Sequence, residues 1–205
     1  LAQAEWQSVI EYLEKHPEVN EVILSGGDPL MMKDALLADK IRLLEALPQI
    51  KRLRIHSRLP VVIPARVCDD MLTWINKSRL DIIMVWHINH ANEMDNELAQ
   101  AAFKLKQAGV TLLNQGVLLK GINDTVDAQV NLSEAVFDAG ILPYYMFTLD
   151  PVEGAAHFDI SIEDAQRLMG KVAAELPGYL VPRLAKEIPG KPAKSVFAPL
   201  LDASV

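Results

Sequence analysis

One pattern repeats along the chain: a short run of β-branched and aliphatic residues, then a stretch with helical periodicity. Parallel strands cannot be joined by a tight turn and need a crossover of helical length, so this alternation constrains the fold to an α/β class with a parallel sheet. The pattern predicts strands from Glu21 to Ser25, Arg52 to His56, Asp81 to His87, Thr111 to Leu118 and Pro143 to Leu149. It predicts helices from Ala4 to His16, Met32 to Ala46, Asp69 to Lys77, Met94 to Ala108, Ala128 to Ala139 and Ile162 to Leu176. Gly109 and Gly140 stop helices, and Ser161 stands as an N-cap three residues before Asp164. Consecutive units with right-handed crossovers curl into an open or closed barrel, whose active face lies at the strand C-termini.

Polar and glycine-rich clusters sit at those termini: SGGDP (Ser25 to Pro29), HSR (His56 to Arg58), HINHANE (His87 to Glu93), NQGVLLKGIND (Asn114 to Asp124) and TLD (Thr148 to Asp150). Such loops are where barrel enzymes build their sites. After the last helix, GYLVPRLAKEIPGKPAKS reads as a strand leading into a glycine-proline turn laid against the barrel mouth. Residues 1–178 therefore read as barrel and 179–205 as a closing segment, together one structural domain.

A net charge of −7 without any Lys/Arg cluster excludes binding to a nucleic-acid backbone, which requires phosphate neutralisation. The single Cys68 excludes an internal disulfide framework, and by thiolates alone it holds neither a structural zinc nor an iron-sulfur cluster. A reducing cytoplasmic setting follows most simply. No apolar run approaches the roughly 20 residues that span a bilayer. The chain opens at Leu1 in an amphipathic helical pattern and not in a signal peptide, as expected of a piece of something longer.

Each cluster admits an ordinary and a functional reading. Adjacent Gly26 and Gly27 let the backbone after a strand turn tightly and aim polar groups at a small ligand; equally, they serve a plain βα turn with Asp28 as a cap. Neither a Walker loop nor a dinucleotide fingerprint is present. His87 and His90 have a spacing open to metal binding, but no third ligand is specified, and helix capping by Asn92 is the plain alternative. Asp150 follows Tyr144, Tyr145 and Phe147, an apolar setting in which a carboxylate needs a cation, either a substrate ammonium or a neighbouring Lys or Arg. Lys194 in PGKPAKS either forms an imine with an aldehyde cofactor in a sheltered mouth or is a solvated tail lysine, with Lys191 an equal competitor on spacing.

Taken in order, ILSGGDPL, LRIHSRLPVVIPARV, HINHANE, LLNQGVLLKGIND, PYY, GAAHF and EIPGKPAKS resemble the lysine 2,3-aminomutase family across nearly the whole chain. The likeness is greatest to the bacterial branch that makes (R)-β-lysine for elongation factor P. The resemblance implies a partial (β/α)6-type, TIM-like barrel of the radical S-adenosylmethionine class, with its N-terminal unit missing here. It implies that L-lysine is converted from (S)-α-lysine to (R)-β-lysine by a 5'-deoxyadenosyl radical and a pyridoxal phosphate imine.

Three cofactors follow from the resemblance: pyridoxal phosphate, S-adenosylmethionine and a [4Fe-4S] cluster. The cluster's C-x3-C-x2-C loop is expected upstream of Leu1, with no metal ligand in this chain and no activity from this chain alone. By motif match Lys194 is the pyridoxal phosphate lysine, Ser25, Gly26, Gly27 and Asp28 approach S-adenosylmethionine, and His87 and Gln115 line the cofactor cavity. Asp150 and Glu187 hold the substrate's side-chain ammonium. Free L-lysine as substrate, a functional link to elongation factor P and its lysyl ligase, no nucleic-acid or membrane partner, and compatibility with a homo-oligomer complete the expectation. The alternatives are an aminomutase acting on another amino acid, a catalytically incomplete binding module, and a barrel aldolase or isomerase using Lys194 without radicals.

Overall fold

The computed structural model describes residues 3–201; Leu1, Ala2 and the last four residues of the expected closing segment lie outside them. The fold is α/β, and the chain forms two compact units. The first comprises the chain up to Trp86 together with Gln100–Leu112, and the second comprises His87–Ala99 and the chain from Leu113 onward. No helix among the described residues is long and apolar enough to cross a membrane.

In the first unit, strands β1 (Glu21–Leu24), β2 (Arg52–Ser57) and β3 (Asp81–Trp86) pair in parallel in chain order. Helices α1 (Gln3–Lys15), α2 (Asp34–Glu45), α3 (Leu59–Val62) and α4 (Asp69–Lys77) accompany them. β2 alternates, burying Leu53, Ile55 and Ser57. β3 is buried almost throughout, as expected of a strand covered on both faces. Glu21 on β1 accepts from Arg52 Nε at 3.1 Å and Arg54 Nε at 2.8 Å, tying the first two strands together. Arg79 donates to the carbonyl oxygens of Glu45, Leu47 and Ile50, which supplies donors to the otherwise unsatisfied C-terminus of α2.

The second unit strings β4 (Thr111–Leu118), β5 (Leu142–Thr148), β6 (Arg183–Lys186) and β7 (Ser195–Val196) in chain order, with α6 (Val126–Asp138) and α7 (Ile162–Glu175) between them. Helix α5 (Asn96–Gln107) and β4 each contribute residues to both units. The β4–β5 and β5–β6 pairs are parallel, whereas β6–β7 is antiparallel, a hairpin that the helical alternation did not predict. The β4–β5 register shifts at Asn114/Gln115, beside Pro143, which has no N–H to donate to a ladder.

The predicted boundaries for β4 and α4 coincide with the structure, and the other predicted elements lie within a few residues of their observed limits. Gly109 and Gly140 end helices at φ of +81° and +82°, and Ser161 Oγ accepts from the Asp164 amide at 3.1 Å. The helix expected from Met32 starts two residues later, because Asp28 first nucleates a separate 3-10 turn over Pro29–Met31. Asn92 is not a cap: it lies inside a 3-10 turn over Ala91–Glu93 whose N-cap is His90, while Asp95 accepts from the Leu98 amide in the first turn of α5.

Candidate functional site

The SGGDP loop leaves β1 with Gly26 at φ +83° and Gly27 at φ +40°, left-handed conformations that only glycine adopts without strain. Ser25, Gly26 and Gly27 are exposed and line a cleft of about 540 Å³ in the first unit, together with Trp6, Val9 and Met31. Asp28 also lines this cleft and is half-buried. Its carboxylate accepts from the amides of Leu30 (3.0 Å), Arg58 (2.8 Å) and Leu59 (2.9 Å) and from Ser57 Oγ at 2.7 Å. Asp28 therefore shapes the loop by binding it to the end of β2, and it lines the cleft together with the glycine backbone.

In the second unit, the Asn114 side chain pairs with the Ile88 backbone as a peptide would, donating to its carbonyl at 3.1 Å and accepting from its amide at 2.9 Å. Asn89 Oδ1 accepts from the Val117 amide, and Asn123 Nδ2 donates to the Asn89 and Val117 carbonyls. Gly116 permits this approach, since a Cβ there would stand 3.0 Å from the Ile88 carbonyl oxygen. The asparagines thus dock the HINHANE segment on β4, and the Gln115 amide donates to His87 Nε2 at 3.0 Å. His87 and Gln115, matched separately from the sequence, are brought together. Glu93 accepts from the Asn89 and His90 amides, so it too serves the backbone.

Asp150, Glu187 and Lys194 line one cavity of about 710 Å³ with Lys186, Lys191 and Pro151. The segment 187–194 is the loop of the β6–β7 hairpin, and Lys194 is its last residue. Lys194 is half-buried, with Nζ 5.4 Å from the Phe147 ring centroid and 2.5 Å from Glu187 Oε1. Lys191, its competitor on spacing, is exposed. Asp150 is exposed as well, and not in the apolar setting expected from its aromatic neighbours in sequence. Tyr144, Tyr145 and Phe147 pack against one another along β5 in tilted ring contacts.

No family model matches the sequence. Individual relatives do. The chain is 53% identical over 190 residues to the L-lysine 2,3-aminomutase of Escherichia coli (strain K12), covering 93% of this chain and 56% of the relative. It is 51% identical over 193 residues to the L-lysine 2,3-aminomutase of Haemophilus influenzae, covering 94% of this chain and 57% of the relative. The chain is thus similar, over nearly its whole length, to L-lysine 2,3-aminomutases. It spans a little over half the length of these relatives. A radical SAM methyltransferase from Sphaerobacter thermophilus superposes with a TM-score of 0.63 at 15% identity, over 88% of this chain and 56% of that one. That likeness shows the fold and bears out the α/β class expected from the sequence.

The resemblance to lysine 2,3-aminomutases implies three groups, and the residues present fit two of them. The cavity at Lys194 combines a half-buried amine, two further lysines and two carboxylates, a donor set that fits a phosphorylated aldehyde beside a cationic substrate. The open backbone at Gly26 and Gly27, with nothing within 4 Å of where a Cβ would stand, fits a small polar ligand. An iron-sulfur cluster does not fit. Among the described residues no three His, Cys, Asp or Glu side chains are disposed to hold a metal ion. Cys68, the lone thiol, is engaged 3.4 Å from Asp34 Oδ2.

Proposed function

We propose that this chain is the substrate- and cofactor-binding part of an L-lysine 2,3-aminomutase, an isomerase that converts (S)-α-lysine to (R)-β-lysine. Sequence identity above 50% to two enzymes of that name supports the reading. The observation that carries its chemistry is the contrast between half-buried Lys194, seated over Phe147 beside a carboxylate, and exposed Lys191 in the same loop. An amine that must carry a cofactor is served by shelter from water, which Lys191 lacks.

Pyridoxal phosphate, when bound, supplies a conjugated ring that delocalises an unpaired electron while nitrogen moves between adjacent carbons. Lys194 Nζ would hold the cofactor once released from its ion pair with Glu187. Asp150 and Glu187 then receive the distal ammonium of lysine, and Phe147 covers one side of the amine. The exposed amides and carbonyls of Ser25, Gly26 and Gly27 bind the methionyl part of S-adenosylmethionine, in a loop whose shape Asp28 maintains. The Gln115 side-chain amide orients His87, and the two serve the cofactor-lined cavity as a pair. Orientation and exclusion of water are the protein's work in such a reaction, since a radical must meet only its intended partner.

The iron-sulfur ligands belong to another part of the enzyme, and no step is assigned to this chain through them. The enzyme works in the cytoplasm on free lysine, and its product serves elongation factor P and its lysyl ligase. Full-length reconstituted enzyme incubated with L-lysine or L-glutamate tests the reading: β-lysine is the expected product, and β-glutamate formed in its place would overturn it.

A further inference from the structure

Gly170 lies in the interior of α7, where glycine is the poorest helix former except proline, and no turn or positive φ calls for it. Its requirement comes from outside the helix. A Cβ built there would overlap the Leu200 carbonyl oxygen and stand 2.8 Å from the Leu200 carbonyl carbon. The backbone after β7 therefore lies directly on a groove in α7 that exists only because this residue has no side chain. Two hydrogen bonds flank the contact: the Leu200 amide donates to the Gln166 carbonyl at 3.0 Å, and Gln166 Nε2 donates to the Ala198 carbonyl at 2.7 Å. The Phe197 amide donates to the Leu184 carbonyl at 2.9 Å and extends the hairpin toward the groove.

Lys194 immediately precedes β7, and β7 pairs with β6 through only two residues, Val196 with Ala185 and Ser195 with Lys186. A pairing so short is too weak to hold a strand by itself. We propose that Gly170 is a positioning residue for Lys194: by admitting the 197–200 backbone onto α7, it clamps the far side of β7 and holds the lysine at its cavity. The proposal rests on the assignment of Lys194 as the cofactor lysine. It differs from any role of Gly170 within its own helix, because alanine there improves helix propensity and would by that route only stabilise α7.

The test uses full-length enzyme loaded with pyridoxal phosphate, with Gly170→Ala, Gln166→Leu and Lys194→Ala variants. Hydrogen exchange at the Phe197 and Leu200 amides and retention of cofactor through gel filtration are the readouts. Gly170→Ala is expected to accelerate exchange at both amides by about tenfold and to shorten cofactor retention, with the α7 amides unchanged. Gln166→Leu, which leaves the groove open, moves both readouts the same way by less and guards against a folding defect of the alanine variant. Tail exchange at the parent rate in both variants overturns the clamp. Faster tail exchange with parental cofactor retention overturns the positioning role. Should Lys194→Ala retain cofactor as the parent does, the lysine assignment fails and the positioning role falls with it, while the exchange arm still reports on the clamp.

Discussion

The Lys194 ammonium stands 2.5 Å from the Glu187 carboxylate, so each group occupies the other. On the proposed assignment, a cofactor aldehyde at Lys194 would release Glu187 for the cation of a substrate. Glu187 is 63% exposed, and an exposed carboxylate is screened, so its contribution to holding a substrate ammonium is about 0.2–1 kcal/mol, up to roughly fivefold in affinity. Glu187→Gln and Asp150→Asn in the full-length enzyme are each expected to weaken lysine binding by a few-fold while leaving the cofactor absorbance intact. Calorimetric titration with lysine checks this, and parental affinity in both variants would count against the substrate role.

Asp28 offers a sharper separation of structure from binding. Its carboxylate receives three amides and a hydroxyl, and charge-assisted bonds of this kind contribute about 1.5–3 kcal/mol each when buried. Asp28 is only half-buried, so Asp28→Asn is expected to lower unfolding free energy by about 2 kcal/mol. A urea melt with an unchanged midpoint would show that the loop does not depend on this charge.

Asp34 ties α2 to the segment after β2. It accepts from Arg66 at 2.9 and 3.0 Å and from Trp74 Nε1 at 2.9 Å. Burial pushes its carboxyl up, but hydrogen bonds from Arg66 and Trp74 and the charge of Arg66 outweigh this and hold it below the ordinary aspartate range. The unfolded chain then binds a proton more readily than the folded one. This contribution is complete above the unfolded value near 3.9 and is lost as pH falls through the lower folded value. Denaturant melts of the parent should lose stability below about pH 4, and Asp34→Asn, destabilised by about 3 kcal/mol at neutral pH, should show a flatter acid limb. Parallel pH profiles would contradict the assignment.

Asn114 is buried and satisfies both polar groups of the Ile88 peptide. Asn114→Leu keeps the volume and strands those groups, which costs roughly 3 kcal/mol. Thermal unfolding reads the loss, and a melting temperature equal to the parent's would mean that the HINHANE segment is docked by other contacts.

Much of this was legible in the sequence because period and punctuation act locally. β4 and α4 were bounded correctly since Leu112 and Leu118 recur on one face of a strand and Asp69, Asp70 and Lys77 suit the two ends of a helix dipole. The same alternation places Asn114 on the buried face, a readable sign of a polar group with an obligatory partner, although Ile88 as that partner is a long-range fact. The sheltered setting expected for Asp150 failed because β5 ends at Thr148, and two residues later the chain has left the sheet for the surface. The antiparallel β7 escaped because two residues carry no period. Gly170 escaped because its requirement is imposed by Leu200, thirty positions away.

Borohydride reduction of the full-length enzyme in the presence of pyridoxal phosphate, followed by peptide mapping, tests the central claim most directly. A pyridoxyl group on Lys194 is the expected result. A pyridoxyl group on Lys191 or any other lysine, with Lys194 unmodified, would contradict the account.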